Sequence, residues 1–190
     1  MPDALDPRTP PSDPLWTPPL ADPAPRNLCT DCGLSRTADA KRCGRACQFI
    51  APDYALMEAR VHGRARDPER ADELHFGPYR RMVRATMKAP REGAQWTGIA
   101  TTIGERLLAS GRVDAVLCVA PDPEDRWRPR PVLVTRAEDM ARCRGMRMGY
   151  APLLALLEPA AAAGHRRVAV IGIPCQVYAL RALEAELGFE

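Results

Sequence analysis

Downstream of its first sixty or so residues the chain alternates short apolar runs with amphipathic stretches. "VDAVLCVA" (residues 113–120) is almost continuously apolar, the pattern of a strand buried on both faces. "RPVLVT" (130–135) repeats it after a proline-rich loop, and "RRVAVIGIP" (166–174) is a third such run. Helical patterns lie between them. "GAQWTGIATTIGERLLASG" reads as a glycine-bounded turn followed by a helix over residues 97–110. "RAEDMARC" predicts a short helix, and "PLLALLEPAAAAG" one that breaks or restarts near Pro159 and stops at Gly164. "QVYALRALEAEL" puts Val177, Leu180, Leu183 and Leu187 on one helical face. A β-like patch is expected around Met82 and Val83. Together these predict a layered α/β fold, with α+β as the variant, whose sheet is partly parallel. So few strands make an incomplete sheet, and a C-terminal portion is expected to be missing.

The first 26 residues have no such rhythm. Proline recurs every few positions, which predicts a disordered, extended arm. A cysteine module follows over residues 27–58, and residues 59–190 form the α/β part. The 190 residues are 46% hydrophobic and 27% charged, so a folded core is expected. The net charge of +3 comes without a long basic run, and aromatics are 5%. Neither supports nucleic-acid binding. No apolar leader or membrane span is evident, which predicts a cytoplasmic protein without an integral membrane segment. Thiols stay reduced in that compartment, so its seven cysteines point to metal binding or catalysis rather than disulfides.

Four of them fall in "NLCTDCGLSRTADAKRCGRACQFIAPDY". Cys29 and Cys32 make a C-x-x-C pair, and Cys43 and Cys47 a C-x-x-x-C pair. Tetrahedral zinc accepts such spacings, and so does a four-iron cluster; spacing alone leaves both open. Ser35 stands where a third closely spaced cysteine would be, and Cys43 is placed to substitute for it. Lys41, Arg42 and Arg45 lie between the ligands, where they would offset thiolate charge or simply be solvated. Cys175 follows the apolar run of "VAVIGIPCQVYALRALE" at a helix start, the position where α/β folds place ligands and where a thiolate is favoured. A buried structural cysteine is the plain alternative. Cys118 and Cys143 read as small core or surface residues.

Gln95, Trp96, Thr97, Gly98 and Thr101 sit at a loop-to-helix junction. Helix-start amides bind phosphate, and Trp96 could cover a flat ring; an ordinary capped helix has the same look. His62, in "VHGRARD", is a candidate proton donor, although histidines there are more often plain surface residues.

Three stretches taken together resemble one family: "CTDCG" with "ACQFIAPDY", "GAQWTGIATTIGERLLASGRVDAVLCV", and "VAVIGIPCQVYALRALE". They are similar to the beta subunits of coenzyme F-420 hydrogenase/dehydrogenase. The wording of "VHGRARD" and "GAQWTG" is nearest a branch of chlorophyll biosynthesis that holds ferredoxin-dependent divinyl (proto)chlorophyllide 8-vinyl reductases and 7-hydroxymethyl chlorophyll reductases. The resemblance implies [4Fe-4S] clusters and FAD, with electrons passing from reduced ferredoxin to a tetrapyrrole pigment. It implies Cys29, Cys32, Cys43 and Cys47 as cluster ligands, Gln95, Trp96, Thr97, Gly98 and Thr101 at the flavin, and Cys175 near flavin and cluster. The α/β part becomes the first portion of an FAD-binding domain. The family's chlorophyll branch has a cysteine where Ser35 stands, and the family continues well beyond residue 190 with further cysteines. A homo-oligomer is compatible with the reading. Two alternatives stand beside it: a subunit passing electrons to a deazaflavin or another acceptor, and a zinc-stabilised interaction module without catalysis.

Overall fold

In the computed structural model, residue 20, residues 29–147 and residues 149–189 are described. Three strands form one sheet: β1 (Ala115–Pro121), β2 (Pro129–Val134) and β3 (Val168–Val170), in the order β2–β1–β3. β1 and β2 are antiparallel, with Val116 opposite Val134 and Pro121 opposite Pro129. β1 and β3 are parallel, with Ala115 opposite Val168 and Leu117 opposite Val170. The expected partly parallel sheet is therefore present, with α/β layering around it.

Alternate residues of β1 serve two different cores. Ala115 and Leu117 join Leu133 on one face, while Val116, Cys118 and Ala120 join Val132 and Val134 on the other. Burial on both faces is the reason the sequence shows continuous apolar runs and not an apolar–polar alternation. The helices are α1 (Cys43–Ala46), α2 (Tyr54–His62), α3 (Ala71–Phe76), α4 (Ile99–Ala109), α5 (Leu157–Ala162) and α6 (Pro174–Leu183). The first face is covered by α5, α6, the 3-10 turn Leu153–Leu156 and the cysteine module, through Leu34, Cys43 and Ala46. The second is covered by the 3-10 segment Ala137–Cys143, through Met140 and Cys143, with Leu108 of α4 beside it. A side chain at Gly104 of α4 would meet Met140 Cε at 2.8 Å and Ile171 Cδ1 at 3.3 Å, so glycine lets α4 lie close over the carboxyl end of β3.

Asp114 ties the starts of the parallel pair together. Its Oδ2 accepts from the backbone N–H groups of Arg166 (3.0 Å) and Arg167 (2.9 Å), and its Oδ1 from Arg167 Nη2 (2.6 Å). The Arg167 amide and guanidinium, with the Arg166 amide, hold the Asp114 carboxyl down to about 2.

Some expectations need correction. No strand forms around Met82 and Val83: the backbone of residues 81–87 is irregular, and the two side chains are 54% and 69% exposed. An apolar patch without a partner strand has no ladder to join. Near Pro159, as expected, the helical type changes: the 3-10 turn gives way to α5 at Leu157. Pro159 sits in the first turn of α5, where its missing N–H has no intrahelical acceptor to lose. On α6, Leu183 is buried and Leu180 and Leu187 pack against the core, while Val177 is 41% exposed. The proline-rich arm lies outside the described residues except for Leu20, which packs partly buried against the core. Among the described residues no helix is long and apolar enough to cross a membrane.

Candidate functional site

The turn after Cys29 is built from two residues in the left-handed region, Asp31 (φ 49°) and Gly33 (φ 104°). Asp31 tolerates it, and its carboxylate is gripped by Arg36 Nε at 3.0 and 3.1 Å. Gly33 has no substitute: a Cβ there would lie 2.4 Å from the backbone nitrogen of Ala155 and 2.5 Å from the carbonyl oxygen of Pro152. Beside this contact the Leu154 N–H donates to the Cys32 carbonyl at 2.9 Å. The C-x-x-C-G stretch is thus fastened, backbone to backbone, onto the layer under the sheet. The Asp31 N–H donates to Cys29 Sγ at 3.3 Å.

Cys43 opens α1 and Cys47 caps it, so one helical turn sets both sulfurs on the same side. Cys175 lies in the first turn of α6, four residues before Ala179 on the same face. These elements enclose one cavity of about 420 Å³, and five cysteines line it: Cys29, Cys32, Cys43, Cys47 and Cys175. Cys43 is buried, Cys32, Cys47 and Cys175 are half-buried, and Cys29 is exposed. Ser35 is buried but is not on the wall. Burial pushes the Cys32 thiol up to about 11, partly offset by a hydrogen bond from the Leu34 backbone, with Cys43, Cys175 and Cys29 adding to the rise. A metal taking this sulfur must displace its proton.

Around a tetrahedral zinc the sulfurs would stand about 4 Å apart, from Zn–S bonds of about 2.3 Å. Among the described residues, no three His, Cys, Asp or Glu side chains converge to hold one ion. Five cysteines on one cavity are a donor set that can hold a multi-iron cluster, with one thiolate per corner.

The cations between the cysteines have another employment. Arg42 Nη1 and Arg45 Nη2 converge on Glu186, at 2.7 and 2.8 Å, tying α1 to the segment after α6. Lys41 is exposed.

A second cavity, of about 510 Å³, is lined by Gln95, Trp96, Thr97, Gly98 and Thr101 among others. All five residues expected there from the sequence are therefore together. Trp96 is 90% exposed and sits at φ 53°. Gly98 caps α4 without a side-chain acceptor, and no acidic residue lies in the first turn. The leading amides of an 11-residue helix are thereby left for an anion. The Thr97 hydroxyl accepts from the Met87 N–H at 3.3 Å, and Gln95 Nε2 donates to Met146 Sδ at 3.4 Å. A flat indole, two hydroxyls and an uncapped helix start fit a ligand that combines an aromatic ring with phosphate. Cys175 lies on the first cavity and not on this one. Gly145 lines the second cavity and Met146 touches it. The sequence carries no local sign of either, because they arrive from beyond β2.

The cysteine-lined cavity sits at the carboxyl end of β3, which Cys175 follows by a short turn. Ligands gather at this edge in α/β folds.

His62 ends α2, is exposed, and lines neither cavity. Arg64 is structural: Nη2 and Nη1 clasp Glu73 at 2.6 and 2.7 Å. Glu73 also accepts from the Asp67 N–H at 2.9 Å and pairs with Arg70. Arg66 pairs with Glu58 through Nε at 2.8 Å and sits over the Tyr54 ring. Tyr54 packs edge-on against Tyr178, whose hydroxyl accepts from the Asp53 N–H at 2.7 Å. "VHGRARD" thereby braces the α2–α3 unit against α6.

Comparison with known proteins adds identity to this geometry. Residues 82–158 match the family model described as coenzyme F420 hydrogenase/dehydrogenase, beta subunit N-term. The chain is 39% identical over 168 residues to the 7-hydroxymethyl chlorophyll a reductase, chloroplastic, of Oryza sativa subsp. japonica, covering 87% of this chain and 36% of that protein. An uncharacterized protein of Nostoc sp. is 38% identical over 165 residues, 87% of this chain and 42% of that one. A chain of the F420-reducing [NiFe] hydrogenase complex from Methanosarcina barkeri aligns with a TM-score of 0.48 at 32% identity, over 54% of this chain and 35% of that one. The chain spans about two fifths of the length of the first two relatives. Residues 82–158 carry the N-terminal domain of the coenzyme F420 hydrogenase/dehydrogenase beta subunit family, and the chain is similar over most of its length to a chlorophyll reductase of rice.

Proposed function

We propose that this chain is the cluster- and flavin-binding portion of an oxidoreductase that reduces a side chain of a chlorophyll-type tetrapyrrole. The observation that carries the reading is the convergence of five cysteines on one cavity. Cys29, Cys32, Cys43 and Cys47 are the proposed ligands of a [4Fe-4S] cluster, with Cys175 a fifth sulfur at its side. The second cavity is the proposed FAD site, with the α4 amides toward phosphate and Trp96 toward the ring. When bound, the two groups supply one-electron and two-electron transfer. The protein holds them on one edge of the sheet, and the Asp31 N–H stabilises negative charge on Cys29 sulfur.

The proposed reaction is reduction of the 8-vinyl group of a divinyl (proto)chlorophyllide to ethyl, with two electrons from reduced ferredoxin and two protons. The name of the rice relative favours a second reading, reduction of a 7-hydroxymethyl group to methyl with loss of water. Mass spectrometry of the pigment pool after deletion of the gene distinguishes them. The first reading predicts accumulation of a divinyl pigment lacking two hydrogens. Accumulation of a pigment with an extra oxygen supports the second, and an unchanged pool contradicts both.

A further inference from the structure

Residues 80–86, "RRMVRAT", are tied down at both ends and open between. Before them the Tyr79 hydroxyl donates to Asp72 Oδ2 at 2.7 Å, and after them the Met87 N–H donates to the Thr97 hydroxyl at 3.3 Å. Between those anchors the backbone is irregular, and Met82 and Val83 stand out in solvent. Neither side chain belongs to either core of the sheet, so their apolar surface is left for something else to cover.

Charge on the strip is one-sided. Arg80, Arg81 and Arg84 are exposed, exposed Lys88 follows, and no Asp or Glu occurs from residue 74 to residue 91. Among the described residues none of these four cations has an ion-pair or hydrogen-bond partner. Arg64, Arg66 and Arg70, a few positions earlier, are by contrast all paired with carboxylates. Three unpaired guanidiniums beside exposed apolar side chains suit a ligand that is apolar and carries a carboxylate.

The position of the strip narrows the ligand further. It runs into the wall of the second cavity: Ala85 lines that wall together with Trp96 and Ile103, both exposed. The strip is small against a stable protein interface, which takes about 20–30 residues a side. A flat macrocycle with one acidic arm matches its scale. We propose that residues 80–86 receive the substrate at the second cavity: Met82, Val83 and Trp96 take the apolar face of the tetrapyrrole, and Arg80, Arg81 and Arg84 bind its propionate carboxylate. The inference rests on the tetrapyrrole reading of the proposed function and adds a specificity to it. The free acid is the substrate. A pigment whose propionate is esterified is taken poorly, because the ester offers no charge to the guanidiniums.

The test is binding of chlorophyllide a and of its methyl ester to the full chain, followed by pigment fluorescence anisotropy at low and high salt. At low salt the acid is expected to bind about tenfold more tightly than the ester, and added salt is expected to narrow the gap. In the chain carrying Arg80→Gln, Arg81→Gln and Arg84→Gln together, acid affinity is expected to fall to the level of the ester, with ester affinity unchanged. Equal affinity of the unsubstituted chain for acid and ester, or a preference that survives in the triple variant, would overturn this inference and leave the tetrapyrrole reading standing. Binding of neither pigment by the unsubstituted chain would overturn both. The acid-to-ester ratio and its salt response are read on the unsubstituted chain, so a folding defect in the variant cannot decide the outcome.

Discussion

Spacing leaves the third ligand open between Ser35 and Cys43, and the proposed cluster takes Cys43. Cys43 is on the cavity wall and Ser35 is not. Replacing Cys43 by Ala is therefore expected to abolish iron binding, while Ser35→Ala leaves iron per chain within error; plasma emission analysis of the two variants checks this. Gly33 makes a second residue-level prediction. Its φ of 104° and its approach to the Ala155 and Pro152 backbone leave no room for a methyl. Gly33→Ala should cost at least about 1–3 kcal/mol from the backbone conformation alone, read as a lower denaturation midpoint. That a glycine follows C-x-x-C is visible in the sequence; that it presses on a segment about 120 positions later is not. The same limit applies to Cys175. Its place after an apolar run suggests a ligand site, but only the fold brings it to the other four sulfurs.

The elements are legible wherever burial is two-sided or a helix has a clean start. β1, β2 and the α4 start lie within a few residues of their expected positions, since apolar runs and a glycine-bounded turn are local signals. The patch at Met82 and Val83 forms no strand because strand propensity needs a partner edge. "VHGRARD" misleads in another way. Its histidine looks chemical, but its arginines brace α2 and α3. Arg64, then the Asp67 amide and Arg70, hold the Glu73 carboxyl at about 2, against its ordinary 4.5. The folded value is the lower one, so the ionised form stabilises the fold. That contribution is complete above pH 4.5 and is lost as pH falls through about 2. Glu73→Gln should be less stable at neutral pH and should lose less stability between those two limits, measured by urea unfolding at a series of pH values. On α6, Gln176 accepts from the Ile173 N–H at 3.0 Å and donates to the Ala151 carbonyl at 2.8 Å. Gln176→Ala leaves the buried Ala151 carbonyl and the part-buried Ile173 N–H unpaired. A loss of about 1–3 kcal/mol is expected, together with weaker iron retention, because Cys175 stands on the same helical turn.

Over the whole molecule, the sheet works as a partition. One face carries the cysteine module, and the other carries α4 with the cluster of Val116, Cys118, Val132, Val134, Met140 and Cys143. That division follows from the β1–β3 pairing with its flanking helices. The five-cysteine cavity is the proposed seat of an iron–sulfur cluster. The most direct measurement is electron paramagnetic resonance of the anaerobically purified chain before and after dithionite, with iron and acid-labile sulfide determined on the same sample. The account predicts about four iron and four sulfide per chain, a signal that appears on reduction, and loss of both in the Cys43→Ala variant. A colourless sample that carries one zinc, no sulfide and no signal on reduction would contradict it.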